Sequence, residues 1–442
     1  MNEFDRDKLV NLTQDILKRA TTQGADSAFV AVNEEDGFSV TARSGDVENI
    51  EHHKERSMSI NVYCDQCSGS ASTSDFSNEA VSAAVEKAIN IAKFTSKDEF
   101  SGLPNKEDQA YDYPDLDLYH PWAITPHEAI DMAVRCESIA RMEDKRIKDS
   151  EGASVSTYNG CFVYANTNGF AGGYPTSRHS IACEAVAEEH GNMQRDYEYT
   201  TARSADDLID VELLAKQTVK KTVMRLGARK IKTQQCPVLF HSSVARGLIG
   251  NFISAISGSK LYRKTSFLLD YIDKVIFPEW VNIYQRPHLL NTLGSAAFDG
   301  EGVTTKDQHY VENGILKSYV LSSYSARKLG LKTTGNSGGV FNLTMQDSKV
   351  SFDTLLKNMG TGLLVTELFG QGVNILTGDY SKGAFGYWIE NGEIQFPVEE
   401  ITIAGSLPVI YKSILAVGND VDTRGSIRTG SILVDQMMVA GS

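Results

Sequence analysis

The stretch from Ala153 to Thr201 constrains the fold more than any other part of the chain. Polar and apolar residues alternate along it, and Asn159-Gly160, Asn168-Gly169 and Gly191-Asn192 fall where a hairpin needs positive backbone φ. A period of two buries one face of a strand and leaves the other polar, so the segment predicts a meander of antiparallel strands.

Other periods frame it. Leu9, Val10, Leu12, Ile16 and Leu17 make a helical stripe between Asp7 and Ala20. Ser27 to Val32 and Gly37 to Ala42 read as short strands joined near Asp36-Gly37, and Ser57 to Tyr63 as a strand that reverses at Asp65-Gln66 and returns through Ser68 to Thr73. Asn78 to Ala92 has helical spacing. Residues 100–122, with Pro104, Pro114 and Pro121, lack a period and read as an irregular connection. Thr125-Pro126-His127-Glu128 is a capping box: Thr125 is the N-cap, Pro126 opens the helix and Glu128 reaches back to the cap amide, starting a helix that runs to about Glu143. Val211 to Leu226 is helical again, and Gly227 is a natural stop. Beyond a boundary placed at 227–235, Pro237 to Phe240 is a strand and Val244 to Ile256 a helix. Strand signals follow at Ile315 to Leu321, Val340 to Met345, Gly362 to Leu368, Phe385 to Ile389 and Glu393 to Pro397, with a hairpin at Asn391-Gly392 and a helix over Phe352 to Asn358. The class is α+β. Residues 1–230 form an N-terminal region of helices with antiparallel strands and a β-meander, subdivided near 100–125, and residues 231–442 a β-rich domain with a few helices.

Charge and composition narrow the function. With 43 Lys and Arg against 57 Asp and Glu, the formal charge of −14 has the wrong sign for binding phosphates, so no direct nucleic-acid contact is expected. No apolar run approaches the roughly twenty residues that span a bilayer, and Met1-Asn2-Glu3-Phe4-Asp5 lacks the regions of a signal peptide, so a cytoplasmic address without membrane contact is expected. Six cysteines are too few for a disulfide scaffold, and Cys136, Cys161, Cys183 and Cys236 stand apart, so reduced thiols are expected. Cys64 and Cys67 form a lone C-x-x-C without a second ligand pair and are read as facing each other across the turn at Asp65-Gln66.

Motifs for catalysis are incomplete. Zinc hydrolysis needs imidazoles beside a carboxylate, but His127-Glu128 is followed four positions later by Asp131 and Met132. His52-His53 sits in a charged, turn-like segment, and His241 precedes Ser242-Ser243 with no glutamate nearby. Gly335-Asn336-Ser337-Gly338-Gly339 fits G-x-S-x-G, which would make Ser337 a nucleophile, yet such an elbow needs a strand entering and a helix leaving. A flexible glycine loop is the expected reading. Gly360 with Gly362 and Gly370 with Gly372 lack the third glycine of a dinucleotide site and suit turns.

Longer strings carry a resemblance. Phe298-Asp299-Gly300-Glu301-Gly302-Val303, Glu312-Asn313-Gly314-Ile315-Leu316, Ser323 to Gly330, Thr366 to Gly372, Thr377 to Ser381, Glu390 to Ile394 and Glu400 to Gly405 are similar to the TldD/PmbA peptidase family, with Gly69 to Asp75 the clearest match in the first half. The family's zinc-binding branch has an H-E-x-x-x-H helix and a cysteine near its C-terminus. The corresponding helix here, Ser243-Val244-Ala245-Arg246-Gly247-Leu248-Ile249-Gly250, has neither histidine nor glutamate, and no cysteine follows Cys236, while Tyr262 to Asp270 resembles the branch without zinc. The resemblance therefore implies no metal or catalytic residue in this chain and zinc in a TldD-type partner. It further implies a heterodimer around an enclosed chamber that cleaves unfolded or short peptides, including microcin precursors and an antitoxin. Asp299, Glu301, Arg327, Glu367, Gln371 and Asp379 are the candidates for substrate or interface contacts, against the plainer reading of the carboxylates as surface groups and turn caps. The alternatives are a stand-alone, homodimeric or larger peptide-binding regulator linked to DNA gyrase control, and a serine hydrolase using Ser337.

Overall fold

The computed structural model describes residues 4–441. With 25% of residues helical and 40% in strands, an antiparallel sheet with its helices precedes a β-rich remainder, and the fold is α+β. The first part comprises α1 (Arg6–Thr22), β1 (Ser27–Arg43), β2 (Asp46–Cys64), β3 (Cys67–Thr73), α2 (Asn78–Ala92), α3 (Pro126–Glu143), β4 (Ile147–Asn166), β5 (Ala171–Glu189), β6 (Asn192–Ala202) and α4 (Val211–Met224). Its six strands form one antiparallel sheet in the order β3-β2-β1-β4-β5-β6.

The pleat explains what the sheet covers. Along β1, Ala28, Val30 and Val32 and then Phe38, Val40 and Ala42 are buried, all of one parity and hence on one face. The first three pack with Leu9 and Ile16 of α1 and Val81, Val85 and Ala88 of α2, and the last three with Ala129, Ala133 and Cys136 of α3 and Leu214 and Ala215 of α4. A strand of this length runs about 55 Å, more than one helix pair of this size covers, so two pairs share the face. The capping box starts α3 as expected: Thr125 N donates to Glu128 Oε2 at 2.8 Å, and Glu128 N to Thr125 Oγ1 at 3.2 Å.

The opposite face divides in two. At one end Phe29, Phe162, Tyr164 and Tyr174 pack with Ala110, Leu116 and Leu118 of the irregular connection and with Phe170 and Phe298. At the other end it is polar.

In the second part, β7 (Gln234–Phe240) leads into α5 (Ser242–Ala255). β7 pairs in parallel with strand Gly362–Phe369 and antiparallel with Ile432–Ala440. The path runs on through Glu393–Ser406 and Asp379–Glu390 and back to Gly362–Phe369, closing a ring of five strands. Leu248, Ile249 and Phe252 of α5 pack on Val238, Phe240, Leu363 and Val365, while helix Phe352–Met359 covers Leu239 and Leu364 from the other side. Each such side chain stabilises the fold by roughly 1.5–3 kcal/mol.

Several turn readings are corrected. Asp36-Gly37 is not a turn: β1 runs through it, and a Cβ on Gly37 would stand 2.2 Å from the Thr157 carbonyl, so this glycine serves strand approach. The reversal comes at Ser44-Gly45, both with positive φ. Asn159-Gly160 likewise lies inside β4, where Gly160 makes room for the Tyr158 ring, whose hydroxyl a Cβ would meet at 2.7 Å. The third reversal uses His190-Gly191, at φ 53° and 80°, one position before the Gly191-Asn192 expected. His52-His53 lies in β2, not in a turn. Of the expected strand to Leu321, Ile315–Leu316 is strand and Val320 makes an isolated bridge to Ser257 before the chain enters helix Ser323–Leu329, and only Leu343–Met345 of the run from Val340 is strand. Asp65-Gln66 does form the hairpin turn, with Cys64 opposite Cys67.

Candidate functional site

The polar end of the sheet's open face becomes a cleft of about 700 Å³ because a loop at Leu293 and another at Arg424-Gly425 close over it. Strand parity supplies the floor. Ser156 and Tyr158 of β4, Arg178 and Ser180 of β5 and Tyr199 and Thr201 of β6 point away from the helices, together with Glu35 of β1. Register sets them in rows: Ser156 lies opposite Ser180, which lies opposite Thr201, while Tyr158 lies opposite Arg178. The two serine hydroxyls bond at 2.7 Å.

Three arginines line this space, each held differently. Arg203 donates to the carbonyls of Ser177 at 2.9 Å, Leu293 at 3.1 Å and Thr292 at 3.4 Å, so it fastens the loop to β5 without a carboxylate. Burial draws its pKa down, and the neighbouring Arg178 charge adds to this. Arg424 donates to Asp422 Oδ1 at 3.0 Å, Glu198 Oε1 at 2.7 Å and the Tyr199 carbonyl at 3.0 Å. Burial pushes the Glu198 carboxyl up, but the Lys221 and Arg424 charges outweigh it and hold it below the ordinary range. Burial also opposes Asp422 ionisation, and the bonds from Arg424 again win. Arg178 is exposed to the cleft with its guanidinium 5.7 Å from the Tyr158 ring centroid, and makes no ion pair among the described residues. Glu35, the only carboxylate on the lining, is bonded by Asn33. Burial first, and then the Glu35 charge, push Tyr158 up to about 12. The arrangement can hold an extended, polar, anionic ligand by hydroxyls and guanidinium; it offers no activated nucleophile.

The first turns of α5 stand beside this cleft, with Arg246 Nη2 reaching Tyr199 Oη at 3.4 Å. Zinc does not fit their donor set. His241, the N-cap, uses Nδ1 toward Ser243 Oγ at 2.9 Å and packs its ring on Phe352, and the residues after it bring hydroxyls, glycines and the Arg246 guanidinium, which repels a cation. Among the described residues, no group of three or more His, Cys, Asp or Glu is gathered to hold a metal ion.

The six residues singled out in the sequence lie elsewhere, with Asp299, Glu301 and the helix of Arg327 linked to one another. Asp299 accepts from the amides of Glu301 and Val303, both at 2.9 Å, and of Ser337 at 2.8 Å, pinning two loops. Burial, with the Glu301 charge, pushes it up to about 7 against the pull of these amides. Glu301 accepts from the amide of Ser323 at 3.0 Å, in the first turn of helix Ser323–Leu329. Arg327 in that helix donates to the carbonyls of Phe100, Gly102 and Leu103 at 2.7, 2.8 and 3.1 Å, tying down the irregular connection. Glu367 pairs with Arg225 at 2.8 Å across the seam between the two parts of the chain. Gln371 and Asp379 are exposed, Asp379 accepting from Thr377 Oγ1 at 2.6 Å. None of the six lines the cleft. Ser337 sits in a loop with positive φ at Gly335, Gly338 and Gly339, with no helix following it. The cleft residues were written in the sequence as the polar positions of the meander; what was missing was any sign that distant loops would roof them.

Family models match nearly all of this chain: PmbA/TldA metallopeptidase domain 1 over residues 28–92, the central domain over 119–226 and the C-terminal domain over 233–441. The metalloprotease PmbA of Escherichia coli O157:H7 is 47% identical over 94% of this chain and 93% of its own, whereas a TldD homologue from Buchnera aphidicola reaches 26% over 66% and 65%. Among solved structures, a Bacteroides thetaiotaomicron protein described as a candidate modulator of DNA gyrase superposes with a TM-score of 0.93 at 26% identity, covering 99% of this chain and all of that one. TldE from Thermococcus kodakarensis shares the fold at 0.83 and 21% identity, over 97% and 99%.

Proposed function

The chain belongs to the PmbA/TldA metallopeptidase family, closer to PmbA than to TldD, and we propose that it is the non-catalytic subunit of a cytoplasmic zinc metalloprotease whose metal is carried by a TldD-type partner. The observation that carries this reading is the donor set at the start of α5: a family of metallopeptidases, and here hydroxyls, glycines and a guanidinium beside the cleft. In this reading the chain contributes walls and peptide contacts to a shared chamber. Extended or short peptides enter, while a folded domain would first have to give up about 5–15 kcal/mol of stability. A cytoplasmic address agrees with the finding that no described helix is long and apolar enough to cross a membrane.

Co-expression with a TldD-type chain tests it. The expected result is a stable complex with zinc in proportion to the partner alone, and peptide cleavage only when both chains are present. Stoichiometric zinc and zinc-dependent cleavage by this chain in isolation would overturn it.

A further inference from the structure

The distribution of charge in the cleft is at odds with the rest of the molecule. In a chain with a formal charge of −14, this cleft is lined by three arginines and one carboxylate. Two of the arginines have structural duties: Arg424 is neutralised by Asp422 and Glu198, and Arg203 donates to three carbonyls, which take hydrogen bonds and leave its charge. Arg178 has neither. Its guanidinium is exposed over the Tyr158 ring, an orientation that leaves the planar fork of N–H groups free. Glu35, which could have neutralised it, forms no ion pair with it and is engaged by Asn33. Two positive charges, those of Arg178 and Arg203, therefore face the same space, neither in an ion pair among the described residues, with Glu35 as the single carboxylate on its lining. A bound anion would relieve that repulsion and gain bidentate, charge-assisted bonds. Beside the fork, Ser156, Ser180 and Thr201 form a row of hydroxyls across three strands, suited to the backbone groups of an extended segment. The volume, about 700 Å³, falls in the ~300–1,000 Å³ range of ligand sites.

We propose that this cleft is a carboxylate-recognising peptide subsite in which Arg178 clamps a carboxylate of an extended chain and the Ser156–Ser180–Thr201 row meets the neighbouring backbone. The inference rests on the peptide-binding role proposed above and adds a preference to it: acidic or free C-terminal ends are favoured over neutral ones.

Fluorescence anisotropy with the full chain tests it, using three short labelled peptides of one neutral sequence: a free C-terminal acid, the C-terminal amide, and the amide with one internal Glu. Tighter binding of the acid assigns the terminal carboxylate, and tighter binding of the Glu peptide a side-chain carboxylate. In either case the advantage over the neutral amide is roughly tenfold or more, the worth of a charge-assisted fork. Arg178→Ala, at an exposed position, abolishes that advantage, and Arg178→Lys restores part of it. Equal binding of all three, a preference that survives Arg178→Ala, or no binding of any peptide overturns the subsite and leaves the subunit reading to stand on the co-expression result. Absence of a complex with a TldD-type chain overturns the subunit reading and leaves a carboxylate preference measurable.

Discussion

One face of one sheet is finished in two ways. At its aromatic end, Phe298 packs its ring 5.0 Å from Tyr113, 5.2 Å from Phe170 and 5.4 Å from Tyr174, and the irregular connection lies over the strands, leaving a groove along residues 111–119. At its polar end the same strands carry serine, threonine, tyrosine and arginine under a roof that touches only the margins. Continuous strands β4 and β5 join the two ends, so the difference is one of side chains rather than backbone. The aromatic end holds the two parts of the chain together; the polar end is left open at a cost in buried apolar area, which makes function the natural reason for it.

Mutations at the two ends should therefore separate stability from binding. The largest loss is expected from Phe298→Ala, about 3–5 kcal/mol from the cavity and the lost ring contacts, read as a fall in thermal midpoint. Next is Arg424→Met at the margin of the cleft. It leaves the buried Asp422 without its ion-pair partner and Glu198 with Lys221 alone, and denaturant titration should show a loss of about 1–3 kcal/mol. The same two carboxylates give the seam a pH dependence. Both are held below their ordinary values in the fold, so their contribution is complete above the usual carboxylate range, near pH 4, and is lost as pH falls through their depressed values. Arg424→Met should flatten the acid limb of a stability–pH curve. The smallest effect belongs to Arg178→Ala, within about 0.5 kcal/mol; a larger loss would mean that the polar end, too, is built for stability.

How much of this was legible followed the range of the interactions. Local chemistry was enough for the capping box at Thr125 and Glu128, the helix Asn78–Ala92 and the turns at Asp65-Gln66 and Asn391-Gly392, since each is decided by residues within a few positions. Gly37 and Gly160 misled because a glycine needed for a close approach looks the same as one needed for a turn; only the Thr157 carbonyl or the Tyr158 ring tells them apart. Asp299, Glu301 and Arg327 stood out in the sequence, and the structure occupies them with amides and carbonyls that hold loops. The cleft stayed hidden because it depends on Leu293 and Arg424, remote in sequence from the strands they roof. A polar stripe on a strand is ordinarily a solvated face, and nothing local marks the exception.

The central claim, that the polar end of the sheet receives peptide while the aromatic end does not, is tested most directly by photo-cross-linking. A short peptide carrying a benzophenone group, bound to the full chain and mapped by mass spectrometry after digestion, should mark Tyr158, Tyr199 or the segment around Arg424-Gly425. Adducts confined to the groove along residues 111–119 at the aromatic end, with none on the polar strands, would contradict it.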